Sequence, residues 1–248
     1  MLLTVAIVVA VFLGALTRTT LGFGEALVSM PLLALLSVNL HTAISLMGLV
    51  SLTVAAFTVT TQWRYINLRE LFPVIITALA GIPIGLLMVT FVPTNIVTGI
   101  LGSALVVYGA YSLSHRRMTS DDTQGRLRHP LWGLLFGFAS GVFGSAFNFT
   151  GVPVAIYGSF RQWEPQNFRS TMQAYFLIVG PLIVAAQGMS KMWTSYMFTL
   201  YLFSLPALAL AILAGTKLHK NIPTVKFQHY VFLMIAALGA VLVVKSTI

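Results

Sequence analysis

The sequence predicts an all-α, polytopic membrane protein that consists of two inverted repeats. Three observations predict this fold class. Hydrophobic residues make up 58% of the 248 residues and charged residues only 8%, whereas ordinary soluble domains are about 25% charged. Several apolar runs are long enough to cross a bilayer. Two apolar stretches, related by the 127-residue offset between Gly14 and Gly141, are broken by glycines and polar residues.

The apolar runs follow one another in the same order in each half. Six runs approach the roughly 20 residues that a full span needs: 41–60, 71–91, 94–113, 170–187, 194–214 and 228–245. Four shorter runs flank the two breaks in pairs: 2–17 with 23–37, and 131–144 with 150–160. We interpret each short pair as a helical hairpin or a broken helix, followed by three spanning helices.

The two breaks are the most informative feature of the chain. The first, residues 14–25, reads GALTRTTLGFGE, and the second, residues 141–153, reads GVFGSAFNFTGVP. Backbone polar groups inside a bilayer need partners, so an unwound stretch survives only where protein or a watery cavity surrounds it. Interruptions at matching positions of two halves are typical of the binding site of a secondary transporter.

The repeated order of two short and three long elements predicts a duplication. At an offset of 127 residues Gly24 corresponds to Gly151, and at an offset of 130 residues Pro93 corresponds to Pro223. All segments belong to one integral membrane domain. Its predicted parts are an N-terminal transmembrane repeat, 1–113, a cytoplasmic linker, 114–130, and a C-terminal transmembrane repeat, 131–248.

The placement of basic residues predicts the topology. If each hairpin returns to the face from which it enters, Lys191 and Lys245 lie on one face, while the remaining loop arginines and lysines lie on the other. Such a bias marks the more basic face as cytoplasmic. The sequence therefore predicts a multi-pass protein of the inner cell membrane.

Equivalent loops then lie on opposite faces, as inverted repeats require. The basic loop 61–70 of the first half corresponds to the weakly charged region 187–194 of the second. In a competing topology, residues 131–157 form one long helix, which would place Arg161 and Arg169 on the outer face.

Arg18, in the first break, is the strongest candidate for a substrate ligand. A guanidinium in the membrane costs about 2.5–3.5 kcal/mol on insertion scales, so it requires a partner or a cavity. Its planar fork can donate parallel hydrogen bonds to a sulfonate or a carboxylate. Helices that begin near Gly24 and Gly151 would add N–H donors and a favourable dipole. In the alternatives, Arg18 reaches a membrane interface or pairs with Glu25.

Neutral polar groups and glycines near the breaks complete the predicted substrate site. For Asn148 and Thr150 a backbone cap is an equally good explanation, and Gln173 is also explained by interhelical hydrogen bonding. The predicted substrate-binding residues are Arg18, Gly22, Gly24, Ser145, Asn148, Thr150, Gly151 and Gln173.

Glu25 is the only acidic residue outside the predicted loops. It can neutralise Arg18, or it can exchange a proton during transport and thereby couple transport to protons. It can also be a first-turn helix acid that the helix dipole stabilises. In the second case, we expect protonated Glu25 to release Arg18 for an anion.

Several other functional classes are excluded. The chain has no cysteine, and its five histidines show no metal-site spacing, so we expect neither a metal nor a cofactor. The spans contain no paired aspartates and no Ser–His or Ser–Lys arrangement, so we expect no catalytic residues and no enzyme. The net charge of +9 comes from loop residues that direct topology, so nucleic acid is not an expected partner. The expected partners are the lipid bilayer and a small anion, with the oligomeric state left open.

The tract Gly22-Phe23-Gly24 continues into ALVSMPLL at 26–33, and the second half has GVFG at 141–144 followed by TGVP at 150–153. These motifs resemble the TauE/SafE family of sulfite exporters, over the whole chain. The resemblance implies a permease that exports, or less often imports, small sulfur-containing anions such as sulfite or a short organosulfonate.

The predicted function combines this resemblance with the paired breaks. It is a secondary transporter that exports a small sulfur-containing anion by alternating access, with a midplane site at the two hairpin tips. Two alternatives are a small-anion channel and a transporter of a non-sulfur organic anion.

Overall fold

The computed structural model describes residues 2–59, 68–115, 131–161, 163–221 and 224–247. Residues 60–67 and most of the predicted linker, with arginines such as Arg64 and Arg116 that the topology prediction used, lie outside this part. The described chain is all helical, which confirms the predicted fold class. Its helices are α1 (Leu2–Leu21), α2 (Glu25–Leu35), α3 (Leu40–Val59), α4 (Leu68–Phe91), α5 (Thr94–His115), α6 (Leu131–Phe147), α7 (Gly151–Phe160), α8 (Pro165–Met189), α9 (Ser195–Asn221) and α10 (Thr224–Thr247).

Six of the described helices are long and apolar enough to cross a membrane: α1, α3, α4, α5, α8 and α9. This confirms a polytopic membrane protein but corrects one element, because α1 is a 20-residue helix rather than a short run ending at residue 17. The hydroxyls of Thr17, Thr19 and Thr20 each donate to a backbone carbonyl one turn back at 2.8 Å. These local hydrogen bonds satisfy the polar side chains, so the helix continues through them to Leu21.

Both breaks are consequently shorter than predicted. The first is confined to 22–24 and the second to 148–150. Gly22 and Gly24 have φ angles of 90° and 97°, and Asn148 has a φ of 58°. Glycine and asparagine adopt this left-handed region at lower cost than other residues, so the sequence places tight reversals at these two points.

Each short pair of helices forms an antiparallel hairpin. In the first, Ser29 Oγ of α2 donates to the Ala10 carbonyl of α1 at 2.9 Å. In the second, Ser140 Oγ of α6 donates to the Thr150 carbonyl, and the Phe136 and Tyr157 rings lie 6.0 Å apart. The chain therefore turns back at each break, and the competing single helix over 131–157 is wrong.

Helices of the two halves pack on each other in matching pairs. Two helices pack on their own counterparts, α3 on α8 and α5 on α10. The other two pairs are equivalent to each other, because α1 packs on α9 and its counterpart α6 packs on α4, the counterpart of α9. α3 and α8 run antiparallel, because Ser45 Oγ donates to the Met192 carbonyl at 3.2 Å, while Gly180 lies beside Leu52. This is the relation that inverted repeats require. The halves are thus intertwined, with the hairpin of each packed against the other.

Candidate functional site

The two hairpin tips meet in one small pocket that also contains Arg18. The cavity volume is about 20 Å³, roughly the room for a single water. Besides the tips, α3 and α8 complete the wall. The lining residues are Arg18, Gly24, Glu25, Ala26, Leu27, Ser51, Asn148, Phe149, Gly151, Val152 and Phe176.

Arg18 is 1% exposed, which excludes the alternative that it reaches a membrane interface. Its Nη1 donates to Glu25 Oε2 at 2.7 Å and to the carbonyl and hydroxyl oxygens of Ser51. Its Nη2 donates to Gln173 Oε1 at 3.2 Å. The guanidinium carbon lies 4.2 Å from the centre of the Phe176 ring, a cation–π distance. The cation is therefore held by α2, α3 and α8 together.

Glu25 lies in the first turn of α2 and is 3% exposed. The predicted pairing with Arg18 occurs, but it uses only one oxygen of the carboxylate. Glu25 Oε1 and Arg18 Nε are both buried and have no hydrogen-bond partner among the described residues. Unpartnered buried polar atoms are rare in proteins. The pair thus retains one acceptor and one donor that no described protein group uses.

Gln173 connects the cation to the backbone of the first tip. Its Oε1 accepts from Arg18, and its Nε2 donates to the Gly22 carbonyl at 2.9 Å. The amide is 1% exposed, and both its oxygen and its nitrogen hydrogen-bond to protein groups. Gln173 therefore orients Arg18 and the reversal at Gly22, as the interhelical explanation anticipated.

The second tip brings Asn148 and Gly151 into the pocket. Asn148 Nδ2 donates to the Ile44 carbonyl of α3 at 2.6 Å, which fixes the reversal against that helix. A Cβ at Gly151 would lie 2.6 Å from Phe176 Cζ, so the start of α7 tolerates only glycine at this distance. Because α2 also begins in the pocket, the N-termini of two helices converge there, and each carries a dipole that favours an anion.

Four predicted ligands are not among the pocket-lining residues: Gly22 and Gln173, which hydrogen-bond to each other at the first tip, and Ser145 and Thr150 of the second hairpin. Ser145 Oγ donates to the Ile82 and Gly141 carbonyls, each at 2.9 Å, so its side chain faces α4. A Cβ at Gly144 would lie 2.7 Å from Thr150 Oγ1, so Thr150 faces the interior of its own hairpin. Both residues stabilise the packing around the second tip.

Sequence reasoning missed Ser51 and Phe176. A serine in an apolar helix commonly hydrogen-bonds to its own backbone, so Ser51 carried no distinguishing signal. Phe176 is three residues after Gln173, and residues at this spacing share one face of a helix. This spacing is the feature of the sequence that could have identified Phe176 as a neighbour of the site.

Comparison with known proteins identifies the family. The model for the sulfite exporter TauE/SafE family matches residues 6–242. The chain belongs to this family. Searches of curated proteins and of solved structures gave no significant match. Membership confirms the resemblance carried by the glycine-rich tracts, and it assigns the chain to a family of membrane transporters of the sulfite-exporter type. A small anion and a lipid bilayer are the partners that this family implies.

Proposed function

We propose that this protein exports sulfite or a short organosulfonate across the inner cell membrane by alternating access. The observation that supports this best is Arg18, a buried guanidinium where two helix N-termini converge. Its unused Nε–H is a donor that an oxyanion needs, and the dipoles at the starts of α2 and α7 favour a negative charge there. Arg18 is the proposed anion ligand, and Gln173 orients it.

The pocket must change shape when the anion enters. A cavity of about 20 Å³ offers roughly the room for a single water, so the hairpin tips must separate before an anion with several oxygens can enter. The walls belong to two hairpins and to α3 and α8, and the hairpin of each half packs on the other half. Rocking of one repeat against the other would separate the tips, as alternating access requires.

Charge balance in the pocket favours coupling to protons. Arg18 and Glu25 are the only ionisable residues among those that line it. An anion beside an ionised Arg18–Glu25 pair would leave a net negative charge in a buried site, which is costly. Protonation of Glu25 removes that charge and frees Arg18 for the anion.

The two states without net charge are therefore the ion pair alone, and the anion on Arg18 beside protonated Glu25. Exchange between these states moves one proton together with one monovalent anion. Direction then follows the combined gradients of proton and anion. Saturable flux that depends on pH distinguishes this carrier from a channel, which would show continuous conductance.

Ligand-dependent thermal stabilisation of the purified protein tests the substrate role of Arg18. The panel contains sulfite, sulfate, short sulfonates and matched carboxylates. A ligand at about 100 times its Kd stabilises the folded state by roughly 2.7 kcal/mol. We expect this from a sulfur anion with wild type and not with Arg18→Lys, because an ammonium cannot reproduce the fork of donors.

Arg161→Lys is the matched control, because Arg161 also pairs with a carboxylate but lies outside the pocket. It should respond to the anions as wild type does. Equal stabilisation of wild type and Arg18→Lys would contradict the proposed role of Arg18. No response of folded wild type to any anion would contradict the proposed substrate class.

A further inference from the structure

A second buried polar group, the side-chain amide of Gln187 in α8, lies near the Arg18 pocket. Gln187 is fully buried, and neither its Nε2 nor its Oε1 has a hydrogen-bond partner among the described residues. Burial of an unpaired amide is costly, and nearly all buried polar atoms in folded proteins are paired. The unused donor and acceptor therefore indicate a partner that is not part of the protein.

Gly48 of α3 creates the space that this amide occupies. A Cβ at Gly48 would lie 2.6 Å from Gln187 Oε1 and 3.5 Å from Asn148 Oδ1. The two side-chain amides therefore face the same point on α3. Asn148 also lines the Arg18 pocket, so it borders both positions.

The amide lies at an intermediate depth between the Arg18 pocket and a larger pocket near the start of α3. Ser51, which holds Arg18, is about 4.5 Å along the helix axis from Gly48, and Ala43 is about 7.5 Å from Gly48 in the opposite direction. Ala43 lines a cavity of about 390 Å³ together with His41 and Lys245. This larger cavity, called here the Lys245 pocket, offers a cation near the membrane face.

We propose that Gln187 and Asn148 form a second, uncharged subsite that receives the transported oxyanion between Arg18 and the Lys245 pocket. The inference rests on the proposed function and adds to it a step of the route. Gln187 Nε2 donates to an oxygen of the anion. Asn148 Nδ2 already donates to the Ile44 carbonyl, so Asn148 Oδ1, like Gln187 Oε1, accepts from a hydroxyl of a protonated oxyanion or from a water that accompanies it. A neutral amide binds an anion more weakly than a guanidinium does. Weak binding next to a strong site permits release.

Efflux of sulfite from proteoliposomes, measured together with sulfite-dependent thermal stabilisation, tests this subsite. Gln187→Met keeps the length of the side chain and removes both polar atoms. We expect sulfite affinity within about twofold of wild type, and flux lower by roughly fivefold to tenfold, the factor for loss of one neutral hydrogen bond. Tyr175→Phe is the matched control, because Tyr175 is also buried in α8 but donates its hydroxyl to Ser140; both measurements should stay unchanged.

Gly48→Ala tests the same point without altering Gln187, and replaces Gln187→Met if that variant does not fold. The new methyl group would displace the flexible end of the Gln187 side chain, so the same loss of flux is expected. Unchanged flux with higher thermal stability in Gln187→Met would overturn the inference, since the amide would then be only a costly buried group. Loss of sulfite binding together with flux would also overturn it, because Gln187 would then belong to the Arg18 site. Failure of wild type itself to bind or carry any tested anion would instead reject the proposed function.

Discussion

The described part of the molecule contains two arginine–carboxylate pairs with different surroundings. Arg161 and Glu70 join the end of the second hairpin to the start of α4, and their side chains are 26% and 21% exposed. Arg161 uses both Nε and Nη2 on the two oxygens of Glu70, and Trp163 Nε1 adds a third donor at 3.3 Å. Both oxygens of Glu70 are therefore engaged by Arg161 at the edge of the fold.

The pair of Arg18 and Glu25 is almost fully buried and incomplete. Its side chains are 2% and 4% exposed, and a single hydrogen bond of 2.7 Å joins them. One atom of each group lacks a partner among the described residues. A bidentate pair at the edge links two helical elements of the fold. A buried pair that keeps an unpartnered donor and acceptor is suited to exchange its hydrogen-bond partners. From this difference we expect the exposed pair to be structural and the buried pair to be functional.

Removal of the arginine from each pair in turn should give the largest difference between the two pairs, measured as the loss in the free energy of unfolding. Arg18→Met leaves Glu25 buried and unpaired, so we expect a loss of about 3–5 kcal/mol in the free energy of unfolding. Arg161→Met should cost at most about 1 kcal/mol, because that pair is partly exposed. Denaturation of both variants in the same detergent measures the difference.

The double variant Arg18→Met/Glu25→Leu separates stability from function. Replacement of a whole buried ion pair by apolar residues is often neutral or stabilising, so stability should return while anion binding does not. Equal destabilisation by Arg18→Met and Arg161→Met would remove the distinction between the two pairs.

Neutralisation of each carboxylate should have the next largest effect, on the pH dependence of transport. If protonated Glu25 is the form that carries an anion, wild-type flux rises as pH falls, and Glu25→Gln makes flux nearly independent of pH. A short sulfonate is the preferred substrate, because its own charge does not change near neutral pH. Flux into proteoliposomes over a pH series measures this.

Glu70→Gln is the control for this comparison, since it neutralises the exposed pair and should keep the wild-type pH profile. A Glu25→Gln variant that retains that profile would show that Glu25 does not couple proton and anion movement. Arg18 would then need another way to exchange Glu25 for substrate.

The helices and the buried arginine could be predicted from the sequence because each depends on local energetics. Apolar runs are helical in a bilayer because their backbone must be paired internally, and an arginine among them needs a compensating contact. These two arguments predicted the hairpins and singled out Arg18. Glu25 followed from its position beside Gly24, at the start of a helix.

The remaining site residues depend on long-range packing that the sequence does not display. Ser51 and Phe176 reach Arg18 only because α3 and α8 pack together beside the first tip. Ser145 was misplaced because the rotation of α6 depends on its close contact with α4. Gly141 of α6 approaches Ala78 of α4, and Ser145, one turn later, shares that face.

A comparison of two helix glycines should give a smaller effect that sharpens the role of the second tip. At Gly151 an added Cβ would lie 2.6 Å from Phe176 Cζ, whereas at Gly180 the nearest atom, Leu52 Cδ1, is 3.8 Å away. Gly151→Ala should displace either the start of α7 or the ring beside Arg18. Since misplacement of a binding group by about 1 Å can reduce activity by as much as a hundredfold, we expect anion affinity to fall by about tenfold. Gly180→Ala should leave it unchanged. Equal affinities for the two variants in the thermal-stabilisation assay would show that the second tip does not contribute to the anion site, and that the charged first tip binds the substrate alone.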